Sequence, residues 1–279
     1  ALTATWLGIG ALAHAQEAQS EKTTAYVPAF WHKTQIWDYF RRAPQFGWSF
    51  DFFLRTQGSY NNPNLFANRL RESYRLWFVW QINPLNRLSI APFSYHRDDG
   101  LRWNESVARS RVRHEFRGSI EFDSNVFLHK RLMLSHRYRI EGRNFVDDEF
   151  ENAEYLLRWR ARLRLRVSLN NKNYFEHKVV YVFGYNEVGI HFSPGQRWAF
   201  NQNRWFLGMG VRFSAFSRVE LGYINQWRGG AGVPEYHSNH GPMIYLMIDY
   251  LSADIGELKA KRAARKRRQA AAAKEPRQP

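Results

Sequence analysis

Apolar and polar residues alternate along most of the chain, and clusters of turn-forming residues separate the alternating runs. The clearest run is 155–169, where every even position from Arg158 to Arg166 is an arginine and the odd positions from Leu157 onward are Leu, Trp, Ala or Val. A period of two places successive side chains on opposite faces of a strand, whereas a helix would spread them around its axis. The run therefore predicts a strand with one apolar and one basic face.

Eleven such runs predict eleven strands, whose lengths of about 10–14 residues exceed the usual 5–6 of soluble sheets and suffice to cross a bilayer. The predicted strands are 29–39, 47–57, 69–81, 87–97, 110–122, 131–143, 155–169, 177–192, 203–214, 218–227 and 240–250. Short connections (82–86, 123–130, 170–174, 215–217) alternate with longer polar ones (98–109, 144–154, 193–202, 228–239). This alternation is typical of outer-membrane barrels, which have tight turns at one end and longer loops at the other.

The direction of the basic face distinguishes a soluble sandwich from a membrane barrel. An arginine facing the bilayer midplane costs about 2–4 kcal/mol, so the arginines of 158–166 must line the lumen while the apolar residues face lipid. The sequence thus predicts an all-β protein, a closed antiparallel transmembrane β-barrel. Because bacterial single-chain barrels have even strand numbers, we expect 12 strands, with 10 as the alternative. A twelfth strand would lie near the N terminus.

The predicted lumen is lined by arginines and by fewer glutamates. Its residues are Arg111, Arg113, Glu115, Arg117, Arg137, Arg139, Glu141, Arg158, Arg160, Arg162, Arg164, Arg166, Glu187, Arg204, Arg212 and Glu220. Small residues on the same face (Gly208, Gly210, Gly222) indicate a crowded interior. Two interpretations remain open. Interlocked Arg and Glu side chains could fill the lumen of a structural or partner-binding barrel, or the surplus of arginine could form a narrow anion-preferring channel.

The two ends of the chain differ from this body. Residues 1–15 are apolar and close on Ala13, His14 and Ala15, a small-x-small pattern that predicts a partial signal peptide cleaved after Ala15. The barrel is expected over 16–250. From Lys259 onward nine basic residues stand against the single Glu275, which predicts a disordered basic tail over 251–279 on the periplasmic side.

Composition limits the chemistry of the protein. The 279 residues carry a formal net charge of +16 and contain no Cys, which excludes a thiol nucleophile and Cys-ligated metal centres. Within the tail, a basic cluster is the candidate site for an anionic periplasmic partner. Its residues are Arg262, Arg265, Lys266, Arg267 and Arg268. We expect outer-membrane lipid as the other partner. Nucleic acid is not expected, because a secreted protein does not meet it.

No catalytic, cofactor or metal site is predicted. An outer-membrane lipid hydrolase is the alternative of another class, and it would need a Ser and a His on one face. Ser135 with His136 and Ser94 with His96 are the candidates, and both are dismissed on the ground that neighbours on a strand point to opposite faces. An acidic segment at 147–151 lacks the spacing of a calcium loop and is expected to be a solvated outer loop.

Three segments carry a resemblance to a known family. They are 185–188, 201–213 and 220–226, preceded by the arginine strand at 160–164 and a Glu-containing strand at Glu115. Together they are similar to the C-terminal half of a bacterial outer-membrane family catalogued as domain of unknown function twenty-four-ninety. The resemblance covers most of 26–250 and implies an outer-membrane β-barrel, with no implication for chemistry. The chain differs from the family in its basic tail, which separates Tyr250 from the C terminus.

Overall fold

The computed structural model describes residues 24–58, 64–99, 112–147, 153–172, 174, 176–192, 199–214, 216–229 and 236–249. Over these residues the fold is all-β. The strands are β1 (Thr24–Phe40), β2 (Ala43–Gln57), β3 (Asn68–Asn83), β4 (Asn86–Asp98), β5 (Arg113–His129), β6 (Leu132–Asp147), β7 (Ala153–Ser168), β8 (Val179–Phe192), β9 (Ala199–Arg212), β10 (Ser217–Arg228) and β11 (Tyr236–Asp249). Each coincides with one run of alternating residues. No helix in the described part of the chain is long and apolar enough to cross a membrane.

The strands form one closed barrel in which each strand pairs with its neighbours in sequence and β1 pairs with β11. Ten of these pairings are antiparallel, as expected, but β1 and β11 run parallel, with Ile36 opposite Ile248. The expected 12 strands, and the alternative of 10, are therefore wrong for the described residues. Even numbers are required only when every neighbouring pair is antiparallel, and one parallel pair closes a barrel of eleven.

Gly241 lies at this parallel seam. Its φ is +153°, and a Cβ built there would lie 2.0 Å from the carbonyl oxygen of Ala29. The pairing is interrupted around it, between the pairs Pro28–His240 and Trp31–Met243. The backbones of β1 and β11 therefore approach closely at a position that only glycine can occupy.

The connections divide the barrel into two ends. At one, which we call the turn end, the connections are 41–42, 84–85, 130–131, 169–178 and 213–216; the opposite end is the loop end. The prediction of a short connection at 123–130 is wrong, because β5 continues to His129. With eleven strands, β1 begins at the loop end and β11 finishes at the turn end.

Side chains alternate between a buried inner face and an exposed outer face. In β7 the even positions Arg158, Arg160 and Arg164 are buried, whereas Leu163 and Leu165 are exposed. β4 breaks the alternation at Pro92, where the pairing shifts between Ala91 and Ser94 on both neighbours. Proline has no backbone N–H, and the bulge removes the need for a hydrogen-bond donor at this position. The bulge also moves the inner face of β4 from odd to even positions.

Candidate functional site: the charged interior

Glu141 is the centre of an ion-pair cluster inside the barrel. The residue has no exposed surface, and five guanidinium groups lie within 4 Å of its carboxylate. The shortest contact is to Arg158, at 2.5 Å. The five partners, from β3, β5, β6 and β7, are Arg75, Arg117, Arg139, Arg158 and Arg160. One carboxylate therefore connects four strands, including one that is not adjacent to its own.

Further buried carboxylates extend the cluster around the interior. Glu115 binds Arg117 and Arg143, and Glu187 binds Arg137 and Arg160. Two more glutamates each contact an arginine on another strand. Glu121 contacts Arg137 at 3.4 Å, and Glu220 contacts Arg164. Charges in a low-dielectric interior are tolerated only when they are paired and hydrogen-bonded. The interior is thus a continuous network rather than a set of separate bridges.

The other side of the interior is aromatic. Tyr181, Phe183 and Phe206 are buried in one apolar cluster with Trp31 and Ile224. The phenol of Tyr181 donates to Glu220 at 2.8 Å, which joins the aromatic wall to the charged one. A Cβ on Gly210 would lie 2.2 Å from the Tyr181 ring, so the ring occupies the space left by that glycine. Gly210 therefore makes room for an aromatic ring, whereas a Cβ on Gly208 or Gly222 would meet a backbone carbonyl oxygen of the neighbouring strand, at 2.3 Å in each case.

Two cavities adjoin within the barrel. The inner cavity, about 960 Å³ including open space at its mouth, is lined by the β7 arginines from Arg158 to Arg164 and by Phe53, Tyr185 and Phe206. The end cavity, about 1740 Å³ measured in the same way, lies at the turn end beside Trp37, Arg87 and Arg218. Lysine and arginine side chains at the boundary line both cavities: Lys33, Arg137, Arg139, Arg162 and Arg164.

Tyr174, from the 169–178 connection, is buried at the mouth of the end cavity. Its ring lies 5.7 Å from the guanidinium carbon of Arg166 and 5.2 Å from that of Arg212. Burial raises the pKa of the Tyr174 phenol, but the positive charges of Arg166, Arg218 and Arg212 outweigh burial and leave the pKa below its ordinary value. The mouth of the cavity is therefore a region of positive potential.

The structure brings most of the predicted lumen residues together in the interior. Buried there are Glu115, Arg117, Arg139, Glu141, Arg158, Arg160, Arg164, Glu187, Arg212 and Glu220. Four more are half-buried and line a cavity: Arg137, Arg162, Arg166 and Arg204. The prediction that Arg113 lines the lumen is corrected, because this residue is exposed at the loop end, where it pairs with Glu154 at 2.8 Å. Arg111 and the five basic residues of the tail lie outside the described residues.

Other interior residues are absent from the predicted set. They include Lys33, Arg55, Arg71, Arg75 and Arg87, and the carboxylates Asp98 and Asp249. A partial signal was available for β3, where Ser73 and Arg75 alternate with Tyr74 and Leu76, but Glu72 interrupts the apolar positions. The corresponding signal in β1 and β2 was weak. Trp31 and Phe53 lie on the inner face with Lys33 and Asp51, so polar and apolar residues do not alternate regularly there.

Ser94 and His96 require a second correction. They are two residues apart and therefore on the same face, and Ser94 Oγ lies 3.3 Å from His96 Nε2 in the buried interior. The opposite-face argument holds only for Ser135 and His136. The Ser94 hydroxyl also donates to the carbonyl oxygen of Arg117 at 3.2 Å, and Arg75 Nη2 lies 3.4 Å from His96 Nε2. Both groups are thus committed to the interior network.

The described residues contain no group of three or more His, Asp or Glu side chains arranged to hold a metal ion. Most of the acidic segment 147–151 lies outside them, as do the predicted signal peptide and tail.

The fold and the interior define the class of the protein: a closed eleven-stranded β-barrel with a buried Arg–Glu network. Residues 29–236 match a family described as "Protein of unknown function (DUF2490)", and the chain belongs to this family. The resemblance seen in the sequence is thereby confirmed. No curated protein and no solved structure matches the chain.

Proposed function

We propose that the protein is a bacterial outer-membrane barrel whose interior is closed by its own side chains, and that it acts as a structural or partner-binding barrel. The observation that carries this proposal is the burial of Glu141 beneath five arginines from four strands. Barrels with few strands have interiors that side chains can fill. Long paired side chains that meet across the axis would then close the path between the two ends of the barrel.

The outer surface supports insertion in a membrane. Large apolar side chains are exposed on β3 to β7, β9 and β10, among them Phe78 at 49%, Ile120 at 53% and Leu207 at 64%. Monomeric soluble proteins rarely expose a continuous apolar surface of this kind. Tyr155 and Trp205 add exposed aromatic rings, which favour the interfacial region of a bilayer. The outer face thus suits lipid, and the charged face is kept from it.

Conductance measurement on the full chain, purified from outer membranes into planar bilayers, tests the closed interior. We expect no stepwise conductance from the unmodified protein, while heat-modifiable migration on a gel shows that the barrel is folded. A variant with Glu141, Arg158 and Arg160 all replaced by Ala should conduct, because it removes the centre of the network. Stable conductance steps from the unmodified protein would contradict the proposal.

A narrow anion channel is the second candidate. It is favoured by the adjoining cavities, whose shared lining includes Arg137, Arg162 and Arg164. A ring of like charge raises the local concentration of counter-ions, so such a channel would prefer anions. Replacing Arg160, Arg162 and Arg164 by Gln should then lower the anion selectivity of the steps. We propose no catalytic role, because Ser94 and His96 are 1% and 3% exposed and hydrogen-bonded within the network.

A further inference from the structure

The end cavity contains an excess of positive charge. Nine lysine and arginine side chains line it, against four carboxylates. Most of these cations have carboxylate partners. Lys33 contacts Asp51 at 3.3 Å, Arg87 contacts Asp123 at 3.0 Å and Arg218 contacts Asp249 at 2.7 Å; Arg137 and Arg139 bind Glu121, and Arg164 binds Glu220. The excess is therefore concentrated on a few residues.

Arg166 and Arg162 are the cations with the weakest neutralisation. Arg166 donates to the Ser135 hydroxyl at 2.8 Å, its Nε is buried without a hydrogen-bond partner, and it forms no ion pair with a carboxylate of the described residues. Arg162 comes no closer than 3.8 Å to Asp123, a carboxylate that already binds Arg87. Both side chains are only half-buried and face the cavity.

Apolar side chains line the same cavity as these arginines. They are Trp37, Trp77, Val79, Met133, Phe216 and Met247. Phe216 belongs to the 213–216 connection at the mouth, and Met133 and Met247 are buried in the wall. Cavities that bind small molecules combine a mostly apolar lining with a few polar groups that fix orientation. The end cavity contains both kinds of residue, although polar and charged side chains form most of its lining and the net charge of the lining is positive.

We propose that the end cavity is a binding site for an organic oxyanion, a phosphate or carboxylate carried on a small apolar body. Guanidinium groups bind such oxygens with paired, charge-assisted hydrogen bonds. Arg166 would bind the oxyanion with Arg162 deeper in the barrel, and the apolar body would contact Phe216 and Met247. An incompletely paired cation in a barrel interior costs free energy, and a bound anion would recover that cost. This site is independent of whether the barrel conducts.

Binding of phenyl phosphate to the full chain in detergent, measured by calorimetry, tests the site. We expect saturable binding that Arg166→Gln weakens about tenfold or more, because truncating a buried charged hydrogen bond costs several times the thermal energy. Arg166→Lys should retain part of the affinity. Arg113→Gln is the matched control, because Arg113 is exposed at the opposite end and should leave binding within about twofold. Heat-modifiable migration verifies folding of each variant.

A second variant tests the apolar side of the proposed binding site. Its result is informative even if the arginine variants do not fold. Phe216→Ala, in a turn, should weaken binding of phenyl phosphate while leaving that of inorganic phosphate unchanged. Octanoate in place of phenyl phosphate distinguishes a fatty carboxylate from a phosphate ester as the class of natural ligand. Absence of saturable binding of both compounds up to about 10 mM, a concentration that corresponds to almost no specific affinity, would overturn the proposal. Unchanged binding by folded Arg166→Gln would overturn it equally.

Discussion

At the scale of single residues, the buried glutamates determine whether the interior can form at all. Arginines outnumber carboxylates inside the barrel, and some carboxylates neutralise several cations. Glu141 is the extreme case, with five guanidinium partners and no exposed surface. Breaking a buried pair by removing one partner is far more costly than replacing both, because the remaining charge stays buried and unpaired.

Glu141→Gln should therefore destabilise the barrel by about 3–5 kcal/mol. The amide keeps the size of the side chain but leaves five guanidinium groups without a shared carboxylate. Urea unfolding in lipid vesicles gives the free energy of unfolding. Glu154→Gln is the matched control: its ion pair with Arg113 is at the rim, with side chains 57% and 50% exposed, and should contribute less than about 1 kcal/mol. Equal losses from the two variants would show that Glu141 does not organise the interior.

At the scale of strands, the period of two specifies which face each strand turns inward. β9 follows the rule closely, since Phe206 is 2% exposed and Leu207 is 64% exposed. β4 shows what the rule omits. Its bulge at Pro92 moves the inner face to Ser94 and His96, and this shift explains why those two residues face the interior although the inner positions before the bulge are odd.

Spin labels at neighbouring positions of β7 test the orientation of the arginine face. A nitroxide at position 163 should be relaxed strongly by oxygen dissolved in the lipid, and one at position 162 should not, because Leu163 is exposed on the outer face and Arg162 faces the cavities. Positions 206 and 207 in β9 provide a matched pair with the same expected contrast. Equal accessibility at 162 and 163 would exclude the proposed orientation in the membrane.

At the scale of the whole molecule, the odd strand number places the first and last strands in parallel. Such a seam has evenly spaced but slanted hydrogen bonds and is slightly less stable per residue than an antiparallel pair. In this barrel it also contains Pro28 and Pro242, which donate no backbone hydrogen bond, and the close contact at Gly241. These features interrupt the backbone pairing of the seam between the pairs Pro28–His240 and Trp31–Met243.

Cysteine pairs test the parallel closure, and the natural chain contains no Cys to interfere. Ile36→Cys with Ile248→Cys should form a disulfide on mild oxidation, because these residues are direct partners and neighbouring strands lie about 4.8 Å apart. Ile36→Cys with Leu246→Cys is the control: a shift of two residues separates the Cα atoms by about 8 Å, which is too far for a disulfide. Cross-linking of the control pair alone would contradict the eleven-stranded closure.

The basic C-terminal segment follows β11, which finishes at the turn end of the barrel. In an outer membrane this end would face the periplasm. Each Lys or Arg near an anionic surface contributes about 1 kcal/mol before screening, so the cluster 262–268 could hold a salt-sensitive contact with an anionic partner. Truncation after Ser252 should abolish a salt-sensitive pull-down partner while the barrel remains inserted. An unchanged set of partners would leave the segment without a binding role.

The sequence by itself determined the all-β class, the runs that form the strands and the separation of the buried arginines of β7 from its exposed apolar residues, but the expected strand number of 12 was wrong. The correct predictions follow from local facts, because alternation is a property of neighbouring residues and successive side chains of a strand point to opposite faces. Only the tertiary structure decided how the barrel closes, because the parallel pairing of β1 with β11 joins segments about two hundred residues apart and leaves no local period. It also decided that Arg113 is at the rim, that Ser94 meets His96, and which arginines lack carboxylate partners. Ion pairing depends on side chains from strands distant in sequence, and no spacing within one strand encodes it.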